Sequence, residues 1–243
     1  MAQIGLTTSE ASLSGGRSGP LVRDGLLLVS AALMALTLWM VFFWVPTEAN
    51  LGVSQRIFYF HVPVAILALS SIIVVAAASI VHLITRGQRS DDLAYSAAEL
   101  GAVLATLAII TGATWAKPVW GVWWTWDPKL TLTLLLWFIY AGYLMLRAYG
   151  PKGSQGARYG AVIALMGAVN APIIYYATEL WQTAHPDLLV GPAAESGSLD
   201  SDMALALLVS MIAFTVLSAY VLLERYSLRR SETAIDALYQ YAS

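Results

Sequence analysis

The chain has 243 residues; 58% are apolar, only 12% are charged, and the net charge is −2. Soluble domains carry about a quarter charged residues, so this composition excludes an ordinary soluble domain and reads as an integral membrane protein. The weak negative charge speaks against a nucleic-acid role, and the absence of cysteine excludes disulfides and thiolate metal sites.

Residues 1–20 are rich in Ser, Gly and Thr, and residues 1–24 are expected to form a disordered cytoplasmic segment. No small-residue cleavage site follows the first apolar run, so it reads as a retained span rather than a signal. Six runs, near 25–45, 58–84, 94–116, 130–148, 158–180 and 203–223, reach the roughly 20 residues that a spanning helix needs. The expected fold is all-α: one six-helix membrane domain over 25–224, with a cytoplasmic tail over 225–243. No internal repeat is visible.

Basic residues orient the spans. Arg17, Arg23, Arg86, Arg89, Arg147, Lys152, Arg158, Arg225, Arg229 and Arg230 fall on one side; only Arg56, Lys117 and Lys129 fall on the other. The richer side is cytoplasmic by the positive-inside rule, so both termini are expected there. The connections at 46–57, between the third and fourth spans, and at about 181–202 then face outward. The last of these carries Asp187, Glu195, Asp200 and Asp202 and no basic residue, with an ordered start, W-Q-T-A-H-P, expected before a mobile stretch.

The connection between the third and fourth spans holds Trp115, Trp120, Trp123, Trp124 and Trp126, five of the nine tryptophans. One or two at a bilayer boundary would be ordinary anchoring. Five suggest a flat aromatic floor for a flat, apolar ligand. Of the three histidines, His61 and His82 lie on the second span 21 residues apart, about 32 Å at helical rise, and cannot share a ligand. His82 reads as an interfacial polar residue. His61, near the outer start of the second span, and His185, past the outer end of the fifth, both lie at the level of the tryptophans.

Two imidazoles and an aromatic floor suit haem, for which imidazole is an axial ligand. Zinc or copper would need a further protein ligand, which Asp127 could supply, but the tryptophans would then go unexplained. Cations for haem carboxylates are Arg56, the best candidate because its planar fork matches a carboxylate, with Lys129 and Lys117 beside the Trp run. Asp127 before Pro128 is a helix-start signature, so it also reads as the cap of the fourth span. Pro172 is expected to kink the fifth span and aim the segment leading to His185.

The stretch W-G-V-W-W-T-W-D (Trp120 to Asp127) resembles the tryptophan-rich "WWD" signature of haem-handling proteins of cytochrome c maturation. F-H-V-P (Phe60 to Pro63) and W-Q-T-A-H (Trp181 to His185) resemble the segments that carry that superfamily's external histidines. Length and span count resemble CcmC rather than the larger CcmF and CcsA types. The resemblance implies a bacterial inner-membrane protein that holds haem b non-covalently, as cargo, at its periplasmic face between His61 and His185. It implies delivery to a CcmE-like chaperone alongside a CcmD-like small protein and CcmA/CcmB-like ABC subunits. It also implies a transfer component rather than an enzyme. The position after W-D-x is often arginine in such proteins; here it is Lys129, which keeps the charge without the fork. Two other readings are a quinone-linked membrane carrier of haem b, disfavoured by the lack of an inward histidine pair, and a small-solute transporter with an aromatic gate, disfavoured by the scarcity of mid-membrane polar groups beyond Asn170.

Overall fold

Two helices, α2 (Phe58–Thr85) and α3 (Gln88–Trp120), pack along each other and form the centre of the molecule. The computed structural model describes residues 19–151, 153–181, 185 and 199–242. The remaining helices are α1 (Pro20–Trp39), α4 (Pro128–Tyr149), α5 (Gly153–Tyr175), the one-turn α6 (Ala177–Leu180) and α7 (Ser201–Ala242). α1 runs on into a π-helical turn, Met40–Trp44, and a 3-10 turn, Val53–Ile57, leads into α2. Six helical segments are long and apolar enough to cross a membrane, as the composition predicts. The expectations for residues 1–18, Arg17, Lys152, Asp187, Glu195 and the stretches 182–184 and 186–198 lie outside the described residues.

Helix ends follow local chemistry, and several differ from the hydropathy boundaries. α1 begins at Pro20, so residues 20–24, expected within the disordered segment, are helical. Proline is preorganised for the first helical position, and the Arg23 guanidinium pairs with the Glu224 carboxylate on α7. α7 continues beyond the expected end at 223 for 42 residues in all, about 63 Å. The expected tail is therefore helix, tied back to α3 by Arg225–Glu99 (2.8 Å) and by Thr233 Oγ1 donating to Asp92 (2.9 Å). The fifth span is shifted to Gly153–Tyr175; the chain turns at Tyr176, one turn past Pro172, and restarts as α6.

α2 packs on α3, α5 and α7; α3 also packs on α4; α1 lies outermost against α7. Lipid is as apolar as a side chain, so helices associate through close approach and internal polar contacts. A methyl group at Gly101 would lie 2.3 Å from Tyr140 Cζ, so only glycine admits that ring between α3 and α4. The Tyr140 hydroxyl then donates to the Ala68 carbonyl (2.7 Å), and Asn170 Nδ2 donates to the Leu132 carbonyl (3.1 Å). Pro63 inside α2 supplies no N–H to the Tyr59 carbonyl one turn earlier; the Ser210 hydroxyl of α7 donates to that carbonyl instead.

The alternation of spans places Trp120, Pro128, Tyr175 and Ser201 at one end of the bundle, the Trp-rich end. Thr85, Gln88, Tyr149 and Gly153 lie at the opposite end. There Arg86 adopts a left-handed conformation (φ 57°) that turns the chain back on itself. His82, expected at an interface, is only 6% exposed, and its Nδ1 donates to the Gly87 carbonyl at 3.0 Å. Beside it Arg147 of α4 grips Asp91 of α3 with two hydrogen bonds of 2.6 and 2.7 Å, the two side chains 8% and 9% exposed. Removing one partner strands the other charge, at a cost of about 3–5 kcal/mol. Asp91→Ala is therefore expected to lower the melting temperature of the purified protein sharply, and adding Arg147→Met to recover most of the loss.

Candidate functional site

His61 occupies the first full turn of α2, where the preceding 3-10 turn brings the chain into the bundle. Its ring lies against α3. Nδ1 is 3.0 Å from Thr111 Oγ1, and the ring centroid is 6.0 Å from that of Trp115 at an interplanar angle of 60°. Gly112 makes this approach possible: a methyl group there would lie 3.0 Å from His61 Cε1.

The ring faces a cavity of about 840 Å³, counting the space at its open mouth. α2 contributes His61, Ala65, Ala68 and Leu69; α3 contributes Ala105, Ala108, Ile109, Gly112, Ala113, Trp115 and Trp120. Trp124 comes from the connection, Lys129, Leu130, Thr133 and Leu136 from α4, and Ile174 from α5. His185, beyond α6, closes the set. Both outer histidines thus line one cavity, reached from separate elements. The walls are almost wholly apolar, a usual character for small-molecule sites.

Two wall donors have no partner. The indole Nε1 atoms of Trp115 and Trp124 are buried and find no acceptor among the described residues. A buried, unsatisfied donor costs about 1–3 kcal/mol, and both atoms lie beneath the cavity wall rather than on its surface. Lys129 adds a cation to the same wall.

The other expected site residues are placed differently. Trp123 and Trp126 are 59% and 76% exposed and do not line the cavity, although the Trp126 ring meets that of Trp124 edge-on at 5.9 Å. Asp127 caps α4: one carboxylate oxygen accepts from the Leu130 N–H (3.1 Å) and the other from the Thr125 hydroxyl (2.8 Å). Lys117 Nζ donates to the Gly121 carbonyl (2.8 Å) and closes α3. Arg56 is absent from the lining, and its guanidinium sits over the Phe42 ring at 6.0 Å. Arg56 lies in the 3-10 turn Val53–Ile57 ahead of α2, so it does not share the α-helical face that carries His61. Glu179 is exposed on α6. The described residues bring together no group of three His, Cys, Asp or Glu side chains able to hold a bare metal ion.

Sequence reasoning did not single out Thr111, Gly112 or the small residues that make the cavity. Ala105, Ala108 and Gly112, at intervals of three and four, form a narrow stripe on one helical face. That spacing was the available signal. A shelf at the membrane surface was expected; the structure has a slot reaching from Trp120 down to Ala105, about 22 Å along α3.

A family model described as "Heme exporter protein C" matches residues 18–238. This chain belongs to the CcmC family. A protein of Escherichia coli strain K12 named "Heme exporter protein C" is 35% identical over 201 residues, covering 82% of this chain and 80% of the relative. A protein of the same name from Bradyrhizobium diazoefficiens is 38% identical, covering 71% of this chain and 65% of its own length. The Haemophilus influenzae protein of that name is 32% identical, covering 74% and 73%.

Gly112→Ala tests the cavity geometry. Helix propensity favours alanine by about 1 kcal/mol, while the added methyl group forces the His61 ring to yield by a few tenths of an ångström. Global stability should stay near wild type while the ring resonances of His61 move in NMR spectra.

Proposed function

We propose that this CcmC-family chain holds haem b non-covalently in the cavity at its Trp-rich end and hands it to a periplasmic chaperone of the CcmE type for cytochrome c maturation. One observation carries the reading: His61 and His185 line a single apolar cavity whose walls also include Trp115, Trp120, Trp124 and Lys129. A haem brings an iron with two axial positions, two apolar faces and a carboxylate edge, and these residue types match each in turn. The imidazoles take the axial positions. The Ala-rich walls and the Trp rings of 115, 120 and 124 meet the macrocycle. Lys129 meets the carboxylates, a role that Arg56, outside the lining, does not share.

The basic-residue asymmetry supports the Trp-rich end as periplasmic, with both termini cytoplasmic in the bacterial inner membrane. The chain has no phosphate-binding glycine loop, so ATP-driven release falls to CcmA/CcmB-like subunits, with a CcmD-like small protein as a further partner. The chain acts as a transfer component rather than a catalyst. Holding cargo through two axial bonds suits transfer, because release needs no covalent bond of the macrocycle to break. Trp123 and Trp126, exposed beside the cavity, are placed to meet the chaperone.

Purified wild-type protein is expected to carry haem with a low-spin absorption spectrum characteristic of two imidazole ligands. His61→Ala and His185→Ala should each abolish that spectrum. Each should also cut haem delivery to the chaperone by more than the about tenfold that follows loss of an outer-shell partner alone. Variants that keep both the spectrum and delivery would refute the proposal.

A further inference from the structure

We infer that Thr111 is a positioning residue that sets which nitrogen of His61 faces the cavity. The Thr111 hydroxyl has one proton, and that proton is committed to its own helix: Oγ1 lies 2.7 Å from the Leu107 carbonyl, with the Ala108 carbonyl at 3.3 Å as a second acceptor. Toward His61 Nδ1, 3.0 Å away, the oxygen is left only a lone pair. The proton on that hydrogen bond therefore belongs to the histidine, and His61 is held as the Nδ1–H tautomer. Its Nε2 then carries the lone pair, while the Ala108 carbonyl is a further acceptor against the same ring. Gly112, next along α3, keeps the ring in this register, because a side chain there would meet Cε1.

The consequence is chemical. An imidazole that ligates iron through one nitrogen commonly donates its other N–H to an outer-shell acceptor, which orients the ring and strengthens its basicity. Thr111 supplies that acceptor before any ligand arrives, so the His61 lone pair is presented ready-made. The purpose assigned to this arrangement rests on the haem reading above; the tautomer itself does not.

The test begins without haem. In protein labelled with ¹⁵N at histidine and held at alkaline pH, three histidines give three pairs of ring signals, and His61→Ala assigns one pair. Wild type should show His61 as the Nδ1–H form. His82, whose Nδ1 faces a carbonyl that can only accept, serves as an internal reference. Thr111→Val should shift His61 toward the Nε2–H form common for free imidazole, and Thr111→Ser should restore the wild-type signals. With haem added, Thr111→Val should bind about 10- to 100-fold more weakly, with Thr111→Ser close to wild type. A merely structural threonine would not move the tautomer. Wild-type His61 in the Nε2–H form, or a Thr111→Val protein with unchanged tautomer and haem affinity, overturns the inference. A Thr111-dependent tautomer in a protein that binds no haem overturns the haem reading and leaves the role of Thr111 standing.

Discussion

The close antiparallel contact of α2 with α3 is the constraint on which the rest of the structure depends. Between these helices the interior is built of alanine and glycine, so the two backbones approach and their few polar groups satisfy one another. The same contact sets His61 against Thr111, Gly112 and Trp115. A shift of one helical turn between α2 and α3 would leave the imidazole facing a bulkier surface and its Nδ1 without that acceptor. Fold and site are therefore decided by one register.

The two ends of the bundle are built on different principles. At the opposite end charges are paired, Asp91 with Arg147 in the interior and Glu99 with Arg225 nearer the surface, although His82 Nε2 and Arg229 Nε are buried there without a partner among the described residues. At the Trp-rich end, the indole Nε1 atoms of Trp115 and Trp124 are buried without acceptors among the described residues, and His61 is held against Thr111 through Nδ1. Saturated networks rigidify a fold. The Arg147–Asp91 pair fastens α4 to α3 at one end, while the apolar cavity lies at the other.

Much of the architecture was legible in the sequence because lipid imposes a simple rule: every span must be long and apolar. The limits of that rule show at α7. Hydropathy falls after 223, yet the helix persists, held to α3 by the Arg225–Glu99 ion pair and the Thr233–Asp92 hydrogen bond, which no apolar count reveals. The parity of the spans put His61 and His185 at one end, and the Asp127-Pro128 pair announced the cap of α4. Arg56 misled because nearness in sequence is not a shared helical face. Trp123 and Trp126 lie in backbone without a regular period, where the sequence carries no rule for direction. Thr111 and Gly112 were silent because their importance arises only from what α2 places opposite them.

The most direct measurement is the structure of the haem-loaded protein in a lipid nanodisc. A porphyrin is expected inside the cavity, its iron between His61 Nε2 and His185 and its carboxylates beside Lys129. Haem seated instead on the exposed rings of Trp123 and Trp126, with either imidazole unengaged, would contradict this.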